Sequence, residues 1–166
     1  MVVVVMGVAG VGKTAVGRML AANLEVPYLD ADDFHDAECT EKMRRGEPLT
    51  DEERGPWLDR LNTELKREAA LPFHGTVLAC SALSEAHRRR LVTGVPEVRF
   101  VHLTAPADVL RDRLERRTEG VGPELLESQL ETLEVPTDAI TADTDDPPEV
   151  VMHRVLDQLR AEQGRR

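Results

Sequence analysis

Short continuous apolar runs alternate along the chain with stretches in which apolar residues recur every fourth position. Residues 2–6 are a β-branched run closed by a glycine-rich turn, the pattern of a strand buried on both faces. Val16, Leu20 and Leu24 then recur at i+4 and predict a helix over 13–24. The same alternation continues with strands over 27–30, 76–80, 98–103 and 139–142. Between them, helices are predicted over 35–45, over a longer stretch carrying Trp57, Leu61 and Leu65, and over 84–92. Three more are predicted around Leu110 and Leu114, from Pro123 to Leu133, and around Val151, Val155 and Leu159. Thr50-Asp51-Glu52-Glu53 has the form of a capping box, and Pro56 is expected in the first turn of the helix that follows. Strands alternating with helices predict an α/β protein with a doubly wound parallel sheet of about five strands and helices on both faces.

Two polar interruptions break the pattern, at about 31–56 and 116–123. In such a sheet the site lies at the carboxyl ends of the strands, so both are expected to cover it, the second as a small lid. At 166 residues, without repeats or a long linker, the chain reads as one domain, 1–166.

The turn after the first strand is Gly7-Val8-Ala9-Gly10-Val11-Gly12-Lys13-Thr14. Between a strand and a helix this is a phosphate-binding P-loop, and it predicts a three-layer P-loop NTPase fold. Backbone N–H groups curl toward one concavity, and the helix N-terminus adds partial positive charge there. The nucleotide-binding candidates are Gly7, Gly10, Val11, Gly12, Lys13, Thr14 and Ala15, with Arg113 from a later helix. Lys13 is expected on the β- and γ-phosphates, and the Thr14 hydroxyl on Mg²⁺.

Asp30 and Asp32 end the second strand two residues apart. Phosphoryl transfer to an alcohol needs one carboxylate on the metal side and one to orient the hydroxyl and take its proton. Asp30 is assigned to the metal and Asp32 to the base. The third strand ends in Cys80-Ser81, so the carboxylate often found there is missing, which strengthens the case for Asp30. Cys80 itself reads as a small buried apolar residue. Arg111, Arg113, Arg116 and Arg117 precede the second interruption. They read either as a solvated face paired with Asp112 and Glu115 or as lid cations for the transferred group, with Arg116 chosen as catalytic. Of the histidines, His35 gains weight from its place after Asp30. His87 reads as a surface residue and His102 as a strand residue.

The net charge of −10 argues against nucleic acid or a membrane surface as partner and fits a small-molecule substrate held by local cations and Mg²⁺. Two cysteines without metal-ligand spacing, and the lack of a leader or spanning segment, predict a cytoplasmic protein. A homodimer is left open.

Nearly the whole chain resembles the small P-loop gluconokinases, relatives of shikimate and nucleoside monophosphate kinases. The resemblance rests on the P-loop, on Leu29-Asp30-Ala31-Asp32-Asp33-Phe34-His35, and on the run from Glu41 to Asp51. It continues through Arg54-Gly55-Pro56-Trp57-Leu58, Ala79-Cys80-Ser81-Ala82-Leu83, and Pro123 through Glu134. It implies ATP and D-gluconate as substrates, ADP and 6-phosphogluconate as products, and Mg²⁺ as cofactor. Asp32, His35, Arg54 and Arg88 are then the acceptor-binding candidates. The chain departs from the family pattern at Cys39 (usually Asn), at Ser84 and Glu85 (usually two lysines), at His87 (usually Tyr), and at Glu119-Gly120 (usually His-Phe). Those changes leave open a kinase of the same fold for another hydroxylated metabolite. A P-loop module that binds nucleotide without turnover is the alternative of another class.

Overall fold

The computed structural model describes residues 1–71, 75–116 and 122–164. Its five strands are β1 (Val2–Met6), β2 (Tyr28–Asp30), β3 (Thr76–Ala79), β4 (Val98–Thr104) and β5 (Ile140–Asp143). They form one parallel sheet in the order β2-β3-β1-β4-β5. β1 is central, and the chain leaves it first toward one edge and then toward the other, the arrangement that opens a crevice above the carboxyl ends.

The alternating side chains of β1 explain the layers. Val3 and Val5 join a core with Val16 and Leu20 of helix α1 (Lys13–Leu24) and Val151, Val155 and Leu159 of α7 (Pro148–Gln163). Val2, Val4 and Met6 face the opposite core, with Trp57, Leu58, Leu61 and Leu65 of α3 (Asp51–Ala70) and Leu91 of α4 (Glu85–Val92). A strand buried on both faces has no polar alternation to show, which is why β1 reads as an unbroken apolar run.

The remaining elements are α2 (Ala37–Arg44), α5 (Ala107–Glu115) and α6 (Leu126–Thr132), with single 3-10 turns over Ala31–Phe34 and Pro123–Leu125. Three local expectations need correction. The helix expected from His35 starts at Ala37, because the Asp36 side chain accepts from Cys39 N–H at 2.8 Å and caps it there. Pro56 lies inside α3 rather than in its first turn, since the Thr50–Glu53 capping box starts the helix five residues earlier, at Asp51. The helix expected from Pro123 opens as a 3-10 turn and becomes α-helical only at Leu126.

Candidate active site

β1 delivers the chain into the P-loop at Gly7, whose φ is +141°. A Cβ there would lie 2.7 Å from the Leu103 carbonyl oxygen, so β4 leaves no room for a side chain. At Gly12 the reason differs: space is open within 4 Å, but φ is +99°, the left-handed region that favours glycine. Lys13 Nζ folds back over the loop and donates to the Val8 carbonyl at 3.0 Å.

Asp30 sits at the end of β2 with each carboxylate oxygen engaged. Oδ1 accepts from Asp32 N–H at 3.2 Å and starts the 3-10 turn. Oδ2 accepts from Tyr28 OH at 2.9 Å and lies 3.5 Å from Thr14 Oγ1. Burial first, then the neighbouring Asp30 charge, hold the Tyr28 hydroxyl in its protonated, donating form. The turn itself is pinned from α3: Trp57 Nε1 donates to the Ala31 carbonyl at 2.8 Å, and Arg60 Nε to the Phe34 carbonyl at 3.0 Å. His35 stacks on Trp57, with ring centroids 4.3 Å apart and planes at 12°. Burial pushes its imidazole pKa down to about 4, with Arg60 and Arg54 adding in the same direction against Asp36. His35 is therefore neutral at pH 7.

These pieces line one cleft. The P-loop wall is formed by Gly10, Gly12, Lys13 and Thr14, with Asp30 and Asp32 beside it. Across from it stand His35, Arg54 and Trp57, with Met43, Pro48 and Leu49 from the first polar interruption. Desolvation lowers the Arg54 pKa, the mark of a half-buried guanidinium. Lys42 Nζ is 2.9 Å from both carboxylate oxygens of Glu53, which also closes the Thr50 capping box, so α2 is tied to the start of α3 one residue from Arg54. A second cleft behind the P-loop is lined by Gly10, Val11, Gly12, Arg113, Thr144, Asp146 and Pro148. Arg113 there donates to the Thr144 hydroxyl at 2.9 Å and to its carbonyl at 2.7 Å.

Several expected residues lie elsewhere. Arg88 is not among the residues lining the active cleft. It is buried, and its Nη1 donates to the Ala82 and Leu83 carbonyls at 3.1 and 3.0 Å, bracing the turn after β3. Arg88 also lines a separate cleft with Glu85, Phe100 and Glu134. His87 is buried rather than superficial, with Nε2 3.2 Å from Asp51 Oδ1. Ser84 caps α4 by accepting from His87 N–H at 3.1 Å, and Glu85 follows in the first helical turn, where the helix dipole favours an acid. Arg111 pairs with Glu127 rather than with Asp112 or Glu115. Arg116 is exposed at the carboxyl end of α5 and lines none of the clefts found among the described residues. Most of the expected lid, including Arg117, Glu119 and Gly120, lies outside the described residues. Cys80 is buried at the end of β3, and burial pushes its thiol up to about 12, so it is an inert apolar residue beside the P-loop.

The sequence reading missed Gln129. It lines the cleft from α6, and its Oε1 accepts from Ala9 N–H of the P-loop at 2.6 Å. Its place in the Pro123–Glu134 stretch of family resemblance was the available signal.

The fold and the cleft define a P-loop kinase of the small α/β type. The likeness to shikimate kinase from Aquifex aeolicus, TM-score 0.63 at 19% identity over 98% of each chain, shows that fold. A family model described as an AAA domain matches residues 2–136. The chain is 41% identical to the gluconokinase of Gluconobacter oxydans, covering 96% of this chain and 91% of the relative. It is 44% identical to a probable gluconokinase of Xenopus tropicalis, covering 82% and 80%. A solved gluconokinase from Sinorhizobium meliloti superposes with TM-score 0.84 at 35% identity, over 96% of this chain and 91% of that one. The chain belongs to the gluconokinase family.

Proposed function

We propose that this protein transfers the γ-phosphoryl group of ATP to the terminal C6 hydroxyl of D-gluconate. The observation that carries the reading is the single cleft with Lys13, Thr14, Asp30 and Asp32 on one side and Arg54, His35 and Trp57 on the other. The attacking hydroxyl oxygen bonds to the γ-phosphorus as the bond to the β,γ-bridging oxygen breaks. Asp32 accepts the hydroxyl proton, and ADP leaves. Lys13 neutralises charge on the transferred group, and the P-loop N–H groups hold the phosphates in line. The neutral His35 ring can donate to or accept from an acceptor hydroxyl through Nε2, its Nδ1 being buried. Arg54 offers a fork of donors to the acceptor's carboxylate.

The metal side fits Mg²⁺. Thr14 Oγ1 and Asp30 Oδ2 are hard oxygen donors at one point. Among the described residues there is no cluster of three or more His, Cys, Asp or Glu of the kind that cages a metal. Mg²⁺ takes one or two protein oxygens together with phosphates and water, so such a cage is not needed. Thr14 and Asp30 would hold the ion, which when bound neutralises phosphate charge.

No helix among the described residues is long and apolar enough to cross a membrane. Cys39 and Cys80 are both free and buried, which suits a cytoplasmic enzyme.

The test is ADP release across hydroxylated metabolites. Gluconate is expected to exceed neutral polyols in kcat/KM. A second reading, another acceptor on the same machinery, is favoured by Ser84 and Glu85, which serve as helix cap and first-turn acid where the family usually carries lysines. Background turnover with gluconate beside clear turnover with a neutral or cationic alcohol would decide for it.

A further inference from the structure

The side chain of Gln129 meets the P-loop 120 residues earlier in the chain, and it does so at one particular peptide group. Its Oε1 accepts from Ala9 N–H at 2.6 Å. The carbonyl at the other end of that same peptide is Val8 C=O, which accepts from Lys13 Nζ at 3.0 Å. The Val8–Ala9 peptide is thus held from both ends. A peptide is planar, so a bond at each end fixes the plane against rotation about its flanking single bonds. The two bonds also reinforce one another: an ammonium drawing on the carbonyl oxygen polarises the amide and makes its N–H a better donor. The amide's orientation follows from its partner, since a backbone N–H can only donate and must face the oxygen.

We infer that Gln129 is a positioning residue for Lys13, acting through the Val8–Ala9 peptide. The anchored carbonyl sets where the ammonium rests while it faces the phosphates. Remove the acceptor at Ala9, and the plane is held only from its carbonyl end, by Lys13 and by the Val11 N–H at 3.4 Å. The ammonium then loses its fixed seat, and the stabilisation that depends on fixed geometry falls with it. Gln129 lines the cleft from α6 together with Ser128, and α6 is joined to α5 by the Arg111–Glu127 pair. The inference rests on ATP binding at the P-loop and not on which alcohol is phosphorylated.

The test is a double-mutant cycle on binding of a non-hydrolysable ATP analogue, measured by calorimetry without acceptor. Gln129→Met removes both amide functions at nearly constant volume. It is expected to weaken analogue binding about 10-fold in the wild-type background and no more than about 2-fold in the Lys13→Ala background, the non-additivity of groups acting as a unit. The Ala9 amide resonance should move in Gln129→Met. With any turned-over acceptor, kcat should fall about 10-fold or more while the acceptor KM stays within about 2-fold. If Gln129→Met is too unstable at assay temperature, Gln129→Asn keeps the amide one methylene short of Ala9 and is read in the same way. Equal losses in the two backgrounds, or an unmoved Ala9 resonance, would show that Gln129 acts independently of Lys13 and overturn the inference. A failure of gluconate as acceptor leaves these binding measurements untouched, so the two ideas fail separately.

Discussion

The two sides of the cleft are built in opposite ways. The side proposed for the phosphates is one contiguous run, Gly7 to Thr14, six loop residues between β1 and α1 and the first two of α1, in which neighbours in sequence are neighbours in space. The acceptor side is assembled from the 3-10 turn after β2, the linker after α2 and the start of α3, with His35, Pro48, Leu49, Arg54 and Trp57 brought together by packing. Local geometry supplies most of the first, because glycine freedom and a helix N-terminus favour an anion site. The second exists only while α3 holds the turn through Trp57 and Arg60. Substitutions on the phosphate side should therefore damage chemistry with any acceptor, and those on the acceptor side should change selectivity or the stability of the turn.

The largest expected effect is at Lys13. Lys13→Ala should cut turnover with every acceptor on the order of 10³–10⁵-fold, the scale of a cation acting on a transferring phosphoryl group, with the melting temperature little changed. Wild-type turnover in the folded variant would remove the phosphate side from the comparison. Asp32→Asn should lower kcat by about 10²–10⁴-fold, because the amide keeps the size but takes no proton. Its ATP affinity should hold. A collapse of ATP affinity at unchanged kcat would move Asp32 to the nucleotide.

Arg54→Ala sharpens the contrast. We expect kcat/KM for gluconate to fall about 10–100-fold, the size of a lost charge-assisted hydrogen bond, and neutral alcohols to change far less. Equal losses for charged and neutral acceptors would show that Arg54 does not read the carboxylate. Trp57→Phe keeps an aromatic ring, smaller than the indole, and deletes the bond to the Ala31 carbonyl. It should cost about 1–2 kcal/mol, a fall of several degrees in melting temperature, with kcat reduced because Asp32 rides on that turn.

The smallest effect is in pH. The folded-state pKa of His35 is about 4, below the usual 6.5, so the unfolded chain binds the proton more readily. Its contribution is fully present above pH 6.5 and is lost as pH falls from there through 4. Asp36, Glu47, Glu53 and Asp59, each held below its usual range by hydrogen bonds, lose their own contributions toward more acid pH. The informative quantity is therefore the difference between wild type and His35→Gln, whose melting temperature should decline less between pH 6.5 and 4. Parallel curves would mean that the stacked ring carries no such penalty.

The alternation of strands and helices that predicts a parallel sheet, the P-loop, and the pair Asp30 and Asp32 were legible in the chain because each is written in a local period or a contiguous motif. β1 shows as an unbroken apolar run, and Thr50 and Glu53 show as a capping box, since the interactions behind them span few residues. What only the tertiary structure decided depends on partners far apart in sequence. Arg54 and Arg88 are the same residue type and were both acceptor candidates. The fold turns one into the cleft and spends the other on the carbonyls of its own loop. His35 becomes a neutral ring because Trp57 arrives 22 positions later to cover it, and Gln129 meets the P-loop because the fold brings α6 within hydrogen-bond reach of Ala9. Burial and orientation set a side chain's charge and its partner, and both are properties of the packed molecule, not of the order of residues.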